Sequence, residues 1–371
     1  MSADDARAVA PIFDSARLRL AREASGLRKG ELAERLEVSP AAISQFESGT
    51  AKPSAATLAK LALALRFPVG FFAYEGERED VSLDVSDTFF RSLRSTRQID
   101  RQKAVAHAAL AWEVVQHLER RVHLPQLNLP DGLHVPAEAE VEDERIEGAA
   151  EAVRRHWRLA NGPVDHVVRR LELNGIVVTR FRFEVQKVDA FSRWFGARPL
   201  IVLGDDKGDA ARSRFDAAHE LGHIVMHPDP EPGNRNLENQ AQRFAAAFMM
   251  PREAISGELP HGRIDWMRMM DLKRLWGVSI AALLYRAKAL GLLPQAAYEN
   301  AMKTMARRGW RRDEPAPLKE AERPSLFHQA LALLEQKGFG LMELERDTRL
   351  PKARLREILG NETEERPPVF A

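Results

Sequence analysis

The sequence predicts an α+β, mostly helical chain: an N-terminal helical bundle, a small sheet leading into a histidine-bearing helix, and a helical C-terminal region. Three observations carry that prediction. Residues 15–66 are dense in Ala, Leu, Arg and Glu at helical spacing, with breaks at Gly26, Ser39-Pro40 and Gly49 to Pro53. Three short β-branched or aromatic runs, GIVVTRFRF (175–183), KVDAFSRWF (187–195) and RPLIVL (198–203), stand together with turn residues between them. The stretch AAHELGHIVMH (217–227) then opens a region whose apolar residues again recur at helical spacing.

Bulk properties narrow the class. A chain of 371 residues holds two or three domains. We expect a helical module over 1–75, a helical linker over 76–142, a sheet-and-helix domain over 143–310 and a small helical region over 311–371. The 55 basic and 54 acidic residues leave a formal charge of +1, so any contact with nucleic acid must come from a local surface. Cysteine is absent, which excludes disulfides and thiolate metal ligands and fits a reducing cytoplasm. There is no apolar run of about 18 residues to cross a membrane, and MSADDARAVAP does not read as a signal peptide.

In order along the chain, residues 15–66 predict four or five short helices, and 86–123 a further helix or pair led by basic residues. PQLNLPDGLHVP (125–136) is a loop by its three prolines, and 143–173 resumes as helix. GDDKGD (204–209) closes the sheet, and the helix with AAHELGHIVMH follows. DPEPGN (229–234) is a loop; LENQAQRFAAAFMM (237–250) is a helix stopped by Pro251. The polar RRDEPAP (311–317) marks a linker within the helical remainder. A weak echo runs through the chain: Leu32, Val38 and Ile43 recur in spacing as Leu272, Val278 and Leu283, and as Leu344, Leu350 and Leu355. Two short helices packed steeply need that spacing, so the echo reads as repeated packing rather than as three DNA readers.

In the first module, Leu32, Ala33 and Leu36 give one short helix an apolar face, and Ser39 is a good N-cap for the next. That next helix carries Ile43, Phe46 and Glu47 and ends at Gly49. Such a pair can lay its second helix in a DNA major groove. The Leu-Ala-x-x-Leu-x-Val-Ser turn, the Ile-Ser…Phe-Glu-x-Gly ending and the following Pro53 resemble the XRE (Cro/cI-type) helix-turn-helix repressor domain. Where that family commonly has Gln, this chain has Lys29, so a phosphate contact is expected there instead of a base contact. Ala41, Ala42, Ser44 and Gln45, with Ser39 at the helix start, are the candidates to face the groove. Arg28, Lys29, Lys52 and Ser54 are candidates for phosphates. One short helix reads few bases, so a homodimer on a double-stranded operator is expected.

His219 and His223 are four apart, so both imidazoles leave one helix face a turn apart, where they can hold two corners of a tetrahedral zinc. Glu220 lies beside them, where it can take a proton from a zinc-activated water. Gly222, in the same motif, costs about 1 kcal/mol of helix propensity relative to Ala. It implies close approach by a ligand or by another helix. For the third ligand, Glu238 is favoured: it opens the next helix, where small Ala241 and Ala245 let that helix press on the first. His227, about 80° around the helix from His219, is the competing candidate, as a ligand or, more in keeping with its place, as a helix cap or neighbour of the ligands; Glu253 and His261 are outside candidates.

AHELGHIVMH followed by ENQAQRFAAAFMMP (238–251) closely resembles the ImmA/IrrE zinc metallopeptidases, over roughly 145–290. RSRF (212–215) and the strands before it share the resemblance; Gln242 departs from it, standing where the family usually has Asn or Asp. The resemblance implies a zincin-like fold, Zn²⁺ on His219, His223 and Glu238, and Glu220 as general base. It also implies a protein substrate, often a helix-turn-helix repressor, cut in a stress or mobile-element response. The acidic GEREDVSLDVSDT (76–88) is a candidate site of self-cleavage. Two other readings stay open: a transcription factor that responds to metal or ligand without hydrolysis, and an antitoxin-like partner of a toxin.

Overall fold

The computed structural model describes residues 3–73, 83, 89–90, 97–137, 143–182, 189–205, 209–227 and 234–360. The breaks read in the first module separate helices α2 (Ser15–Ala24), α3 (Lys29–Leu36), α4 (Pro40–Glu47) and α5 (Ala55–Leu65), and a further helix, α1 (Ala3–Val9), precedes the stretch read as helical. Asp14, Ser39 and Ser54 cap α2, α4 and α5 by accepting the N–H of Ala16, Ala42 and Thr57, satisfying donors that a helix start leaves open. Leu18, Leu32, Ile43, Leu58 and Leu61 are fully buried between these helices.

The helix read from residue 86 begins later, as α6 (Gln98–Glu119). Phe89–Phe90 form instead a two-residue strand, β1. Two adjacent phenylalanines suit an extended edge, and β1 pairs antiparallel with the sheet in the register Phe89↔Ser192, Phe90↔Phe191. Every residue of α6 from Ala104 to Val115 is buried, so this helix is a core element. Glu113 within it takes two hydrogen bonds from Arg17 Nη1, at 2.6 and 2.7 Å, which ties α6 to α2.

The stretch 143–173 is two helices, α7 (Asp143–His156) and α8 (Val167–Leu173). Arg158 takes a left-handed φ of 52° just after α7, and Asn161-Gly162-Pro163 cannot carry the helix across the gap. Next come β2 (Val177–Phe181), β3 (Ala190–Phe195), β4 (Arg198–Gly204), α9 (Ala210–Met226) and α10 (Arg235–Met249). They are followed by α11 (Arg252–Ile255), α12 (Trp266–Trp276), α13 (Ile280–Ala289) and α14 (Gln295–Arg307). Last are α15 (Leu326–Glu335), α16 (Leu341–Thr348) and α17 (Lys352–Leu359).

The sheet order is β1-β3-β4-β2, with β2 parallel to β4 and the other pairs antiparallel. Helices cover both faces, which is why its strands read as nearly continuous apolar runs. Successive side chains alternate between faces. Val177, Phe181, Phe191, Leu200 and Val202 join a core with the N-terminal bundle, α6 and α15 to α17. Val178, Ala190, Ile201 and Leu203 join a second core with α7 to α10 and α12 to α14. The C-terminal helices thus share a core with the first module; Arg354 donates to the Ala24 carbonyl and Arg349 to that of Gly70. No described helix is long and apolar enough to cross a membrane.

The three echoed leucine sets all lie in helix pairs: α3–α4, α12–α13 and α16–α17. In each pair the first helix ends on a left-handed residue, Glu37, Gly277 or Arg349. In α13 most residues are buried, and α17 gives the Ile358 carbonyl to Thr179 Oγ1 on β2. These two pairs have their second helices committed to packing.

Candidate metal centre and nucleic-acid interface

Helix α9 starts on Asp209, whose carboxylate accepts from the N–H of Ala211 and Arg212 at 3.0 and 3.3 Å. It runs over the sheet and carries His219, Glu220 and His223, all about 1% exposed. Helix α10 crosses close to it. A Cβ on Gly222 would stand 3.0 Å from Phe244 Cδ1 and 3.3 Å from Ala241 Cα, so helix packing is what the mid-helix glycine serves. That approach brings Glu238, in the first turn of α10, to both histidines. Its carboxylate lies 3.3 Å from His219 Nε2 and 3.7 Å from His223 Nε2, and the two Nε2 atoms are 3.1 Å apart.

These separations test a metal directly. Zinc–ligand distances of about 2.0–2.1 Å at tetrahedral angles put neighbouring ligand atoms about 3.3–3.4 Å apart. The three observed spacings bracket that edge. Among the described residues this is the group of His, Cys, Asp and Glu side chains that converges within 4.8 Å. Two neutral imidazoles with one carboxylate is a zinc donor set that leaves a corner open. The residues present fit the metal. Glu238, with its side chain 20% exposed, is the more open side of the site.

Burial raises the Glu238 carboxyl, but the imidazoles that face it, His219 first, outweigh it and hold the group far below its ordinary 4.5. A depressed carboxylate contributes stability that is present above its unfolded value and lost as pH falls through the folded one. In chelator-treated protein the stability advantage over Glu238→Gln is therefore expected in full near neutrality and to shrink as pH falls below 4.5. Urea denaturation across that range checks it; a difference that does not vary with pH would contradict the assignment.

Glu220 accepts a hydrogen bond from Ser192 Oγ of β3 at 2.7 Å. The sequence reading missed this partner, although a serine inside the apolar run AFSRWF was its signal. His227 ends α9 outside the ligand cluster. Its Nδ1 is 3.0 Å from His223 Nδ1 and its Nε2 is 2.8 Å from Gln240 Oε1. Desolvation, helped by His223 and opposed by Gln240, pushes the His227 pKa down to about 4. Glu253 sits by Asn161, 3.5 Å from its amide, away from the cluster.

In the first module, Ser39 starts α4 and Pro40 follows at its first position, where a missing N–H costs nothing. Ala41 and Gln45 are exposed; Ala42 and Ser44 are half-buried beside them. Arg28, Lys52 and Ser54 are exposed, with Lys52 Nζ donating to the Pro11 carbonyl. Lys29, at the start of α3, lies 3.2 Å from Glu47 and 3.5 Å from Ser44 Oγ. Glu47 also pairs with buried Arg22 of α2, at 2.5 and 3.3 Å, which fixes the end of α4 against the bundle. Arg22 had no signal in the sequence beyond a charge on the apolar side of α2.

Fold and site together define a chain with two parts: a helix-turn-helix bundle and a domain whose His219, His223 and Glu238 converge as the ligands of a metal could. Comparison with known families bears this out. Residues 18–72 match the helix-turn-helix family model, and residues 171–288 match the IrrE N-terminal-like domain, a peptidase family. The chain carries an XRE-type helix-turn-helix DNA-binding domain and an IrrE-type peptidase-like domain. No curated protein matches the chain significantly.

Proposed function

We propose that this protein is a cytoplasmic DNA-binding regulator carrying a zinc-dependent endopeptidase that cleaves a repressor-type protein, either a partner or its own chain. The observation that supports it best is the convergence of His219, His223 and Glu238 at zinc-ligand spacing with Glu220 adjoining on α9. His219, His223 and Glu238 would hold the metal, which when bound supplies Lewis acidity for carbonyl polarisation and water activation. Glu220 is placed to take the proton of the attacking water and pass it to the departing amine nitrogen as the C–N bond breaks. Ser192 orients Glu220. At the other end, Gln45, Ala41, Ala42, Ser44 and Ser39 would meet bases, and Arg28, Lys29 and Lys52 phosphates, in a homodimer on its operator. This reading keeps the module at 1–75 and the peptidase domain at 143–310. DNA binding would concentrate the peptidase near a DNA-bound substrate. Of the candidate self-cleavage segment 76–88, all but Leu83 lies outside the described residues.

One observation favours a non-hydrolytic, metal-responsive regulator instead: Glu220 is about 1% exposed and already hydrogen-bonded. Zinc content tests the metal site that both readings share. Dialysed wild-type protein is expected to hold about one zinc per chain, and Glu238→Ala far less. Wild-type protein that resists loading at neutral pH would remove the hydrolase and leave the helix-turn-helix module to account for the molecule.

A further inference from the structure

The loop PQLNLPDGLHVP is tied to the metal helices by its own backbone. Val135 N–H donates to the Met226 carbonyl at 3.0 Å, and Asn236 Nδ2 of α10 donates to the Ala137 carbonyl at 3.0 Å. Between them, the Pro136 carbonyl takes a hydrogen bond from Gln240 Nε2 at 2.8 Å. A backbone carbonyl only accepts, so the Gln240 amide has one orientation here: NH₂ toward Pro136, oxygen toward His227.

That orientation propagates. Gln240 Oε1 is 2.8 Å from His227 Nε2, which must therefore carry the proton. In a neutral ring Nδ1 is then bare. This bare nitrogen is 3.0 Å from His223 Nδ1, which must in turn be the donor. His223 keeps its lone pair on Nε2, the atom 3.1 Å from His219 Nε2 and 3.7 Å from Glu238. The geometry points to a proton-orienting relay, Pro136–Gln240–His227–His223, that fixes the tautomer in which His223 can bind a metal. Gln240 and His227 are positioning residues, acting through His223. Without the relay, His223 is free to carry its proton on Nε2 and must shed it, or rotate, before it can serve as a ligand. The inference rests on the zinc-site reading above, and it adds residues that the ligand motif itself does not contain.

The test uses the full-length chain labelled with ¹⁵N-histidine, whose ring spectra report which nitrogen carries hydrogen. In metal-free wild type we expect His223 as the Nδ1–H form and His227 as the Nε2–H form, with His227 losing its single form in Gln240→Leu. Zinc affinity, measured by chelator competition, is expected to fall about 10–100-fold in Gln240→Leu and in His227→Phe. His227→Gln, whose amide still offers an acceptor and a donor, is expected to recover most of the loss. An Nε2–H His223 in the wild type, or unchanged zinc affinity in both loss variants, overturns the relay. The ring spectra of the metal-free wild type decide it even if a variant fails to fold. They also separate its failure from that of the zinc site: a chain that binds no zinc at all loses the metal reading while the tautomers are still read.

Discussion

Glu220→Gln is expected to abolish peptide cleavage by the full-length chain, a loss of about 10²–10⁴-fold for a removed general base, while zinc content and DNA affinity stay near wild type. The substitution is nearly isosteric. Ser192 Oγ, 2.7 Å from the carboxylate, can donate equally to an amide oxygen, so the side chain is expected to keep its place. What is removed is the capacity to receive a proton, and no step of metal or DNA binding requires that. The substrate is read without being known beforehand: cells expressing wild-type or Glu220→Gln chains are compared for new protein N-termini. Termini that appear only with the wild type identify the scissile bond, and if they lie within this chain, self-cleavage is the activity. If the regulatory output in cells is the same for both chains, and no new termini distinguish them, hydrolysis is not how the protein acts. Burial of Glu220 sharpens the comparison. A buried carboxylate kept for packing alone should be replaced by glutamine with no change in function.

Periodic patterns made much of this legible before any coordinates. The helices α2 to α5 of the first module followed from their breaks, because Gly26, Ser39 and Gly49 act within a few residues of where they stand; α1 lies ahead of the stretch read as helical. The three strands β2, β3 and β4 were visible because they are β-branched and apolar on both faces. His219 and His223 stand together as their spacing implied, and Glu238, the favoured third ligand, converges on them. What escaped was non-local. Phe89–Phe90 became a strand because β3 offered them an open edge, and nothing within residues 86–123 encodes that edge. Ser192 and Gln240 look like ordinary polar residues until Glu220 and His227 arrive from another element. The Pro136 carbonyl could not be read at all, since a backbone atom has no signature in sequence. The break within 143–173 is legible in Asn161-Gly162-Pro163, although the helical pattern on either side masks it.

RRDEPAP looked like a solvated linker by its composition, yet Glu314 within it is 6% exposed. Its carboxylate reaches the turn between α12 and α13, where it accepts from Lys273 Nζ at 3.0 Å and from the N–H groups of Ile280 and Ala281 at 2.8 and 3.2 Å. One side chain thus neutralises a buried lysine and satisfies donors at a helix start, where negative charge is also favoured by the helix dipole. Glu314→Ala is expected to cost about 3–5 kcal/mol, the range for removing one partner of a buried ion pair. Lys273, about 1% exposed, would be left charged without that counter-charge. The double variant Glu314→Gln with Lys273→Met is expected to cost less than the single one, because it leaves no buried charge and retains an acceptor for Ile280. Chemical denaturation gives the ordering, and hydrogen exchange at α13 localises it. The consequence should extend to the metal centre. Arg286 of α13 donates to the Met250 carbonyl at the end of α10 at 3.0 Å, and α10 carries Glu238. A loosened α13 is therefore expected to raise the rate of zinc loss as well as to lower stability. A Glu314→Ala chain within about 1 kcal/mol of wild type, less than a typical buried-pair loss, would show that the supposed anchor carries no strain-bearing contact and that α12 and α13 are held by their apolar faces alone.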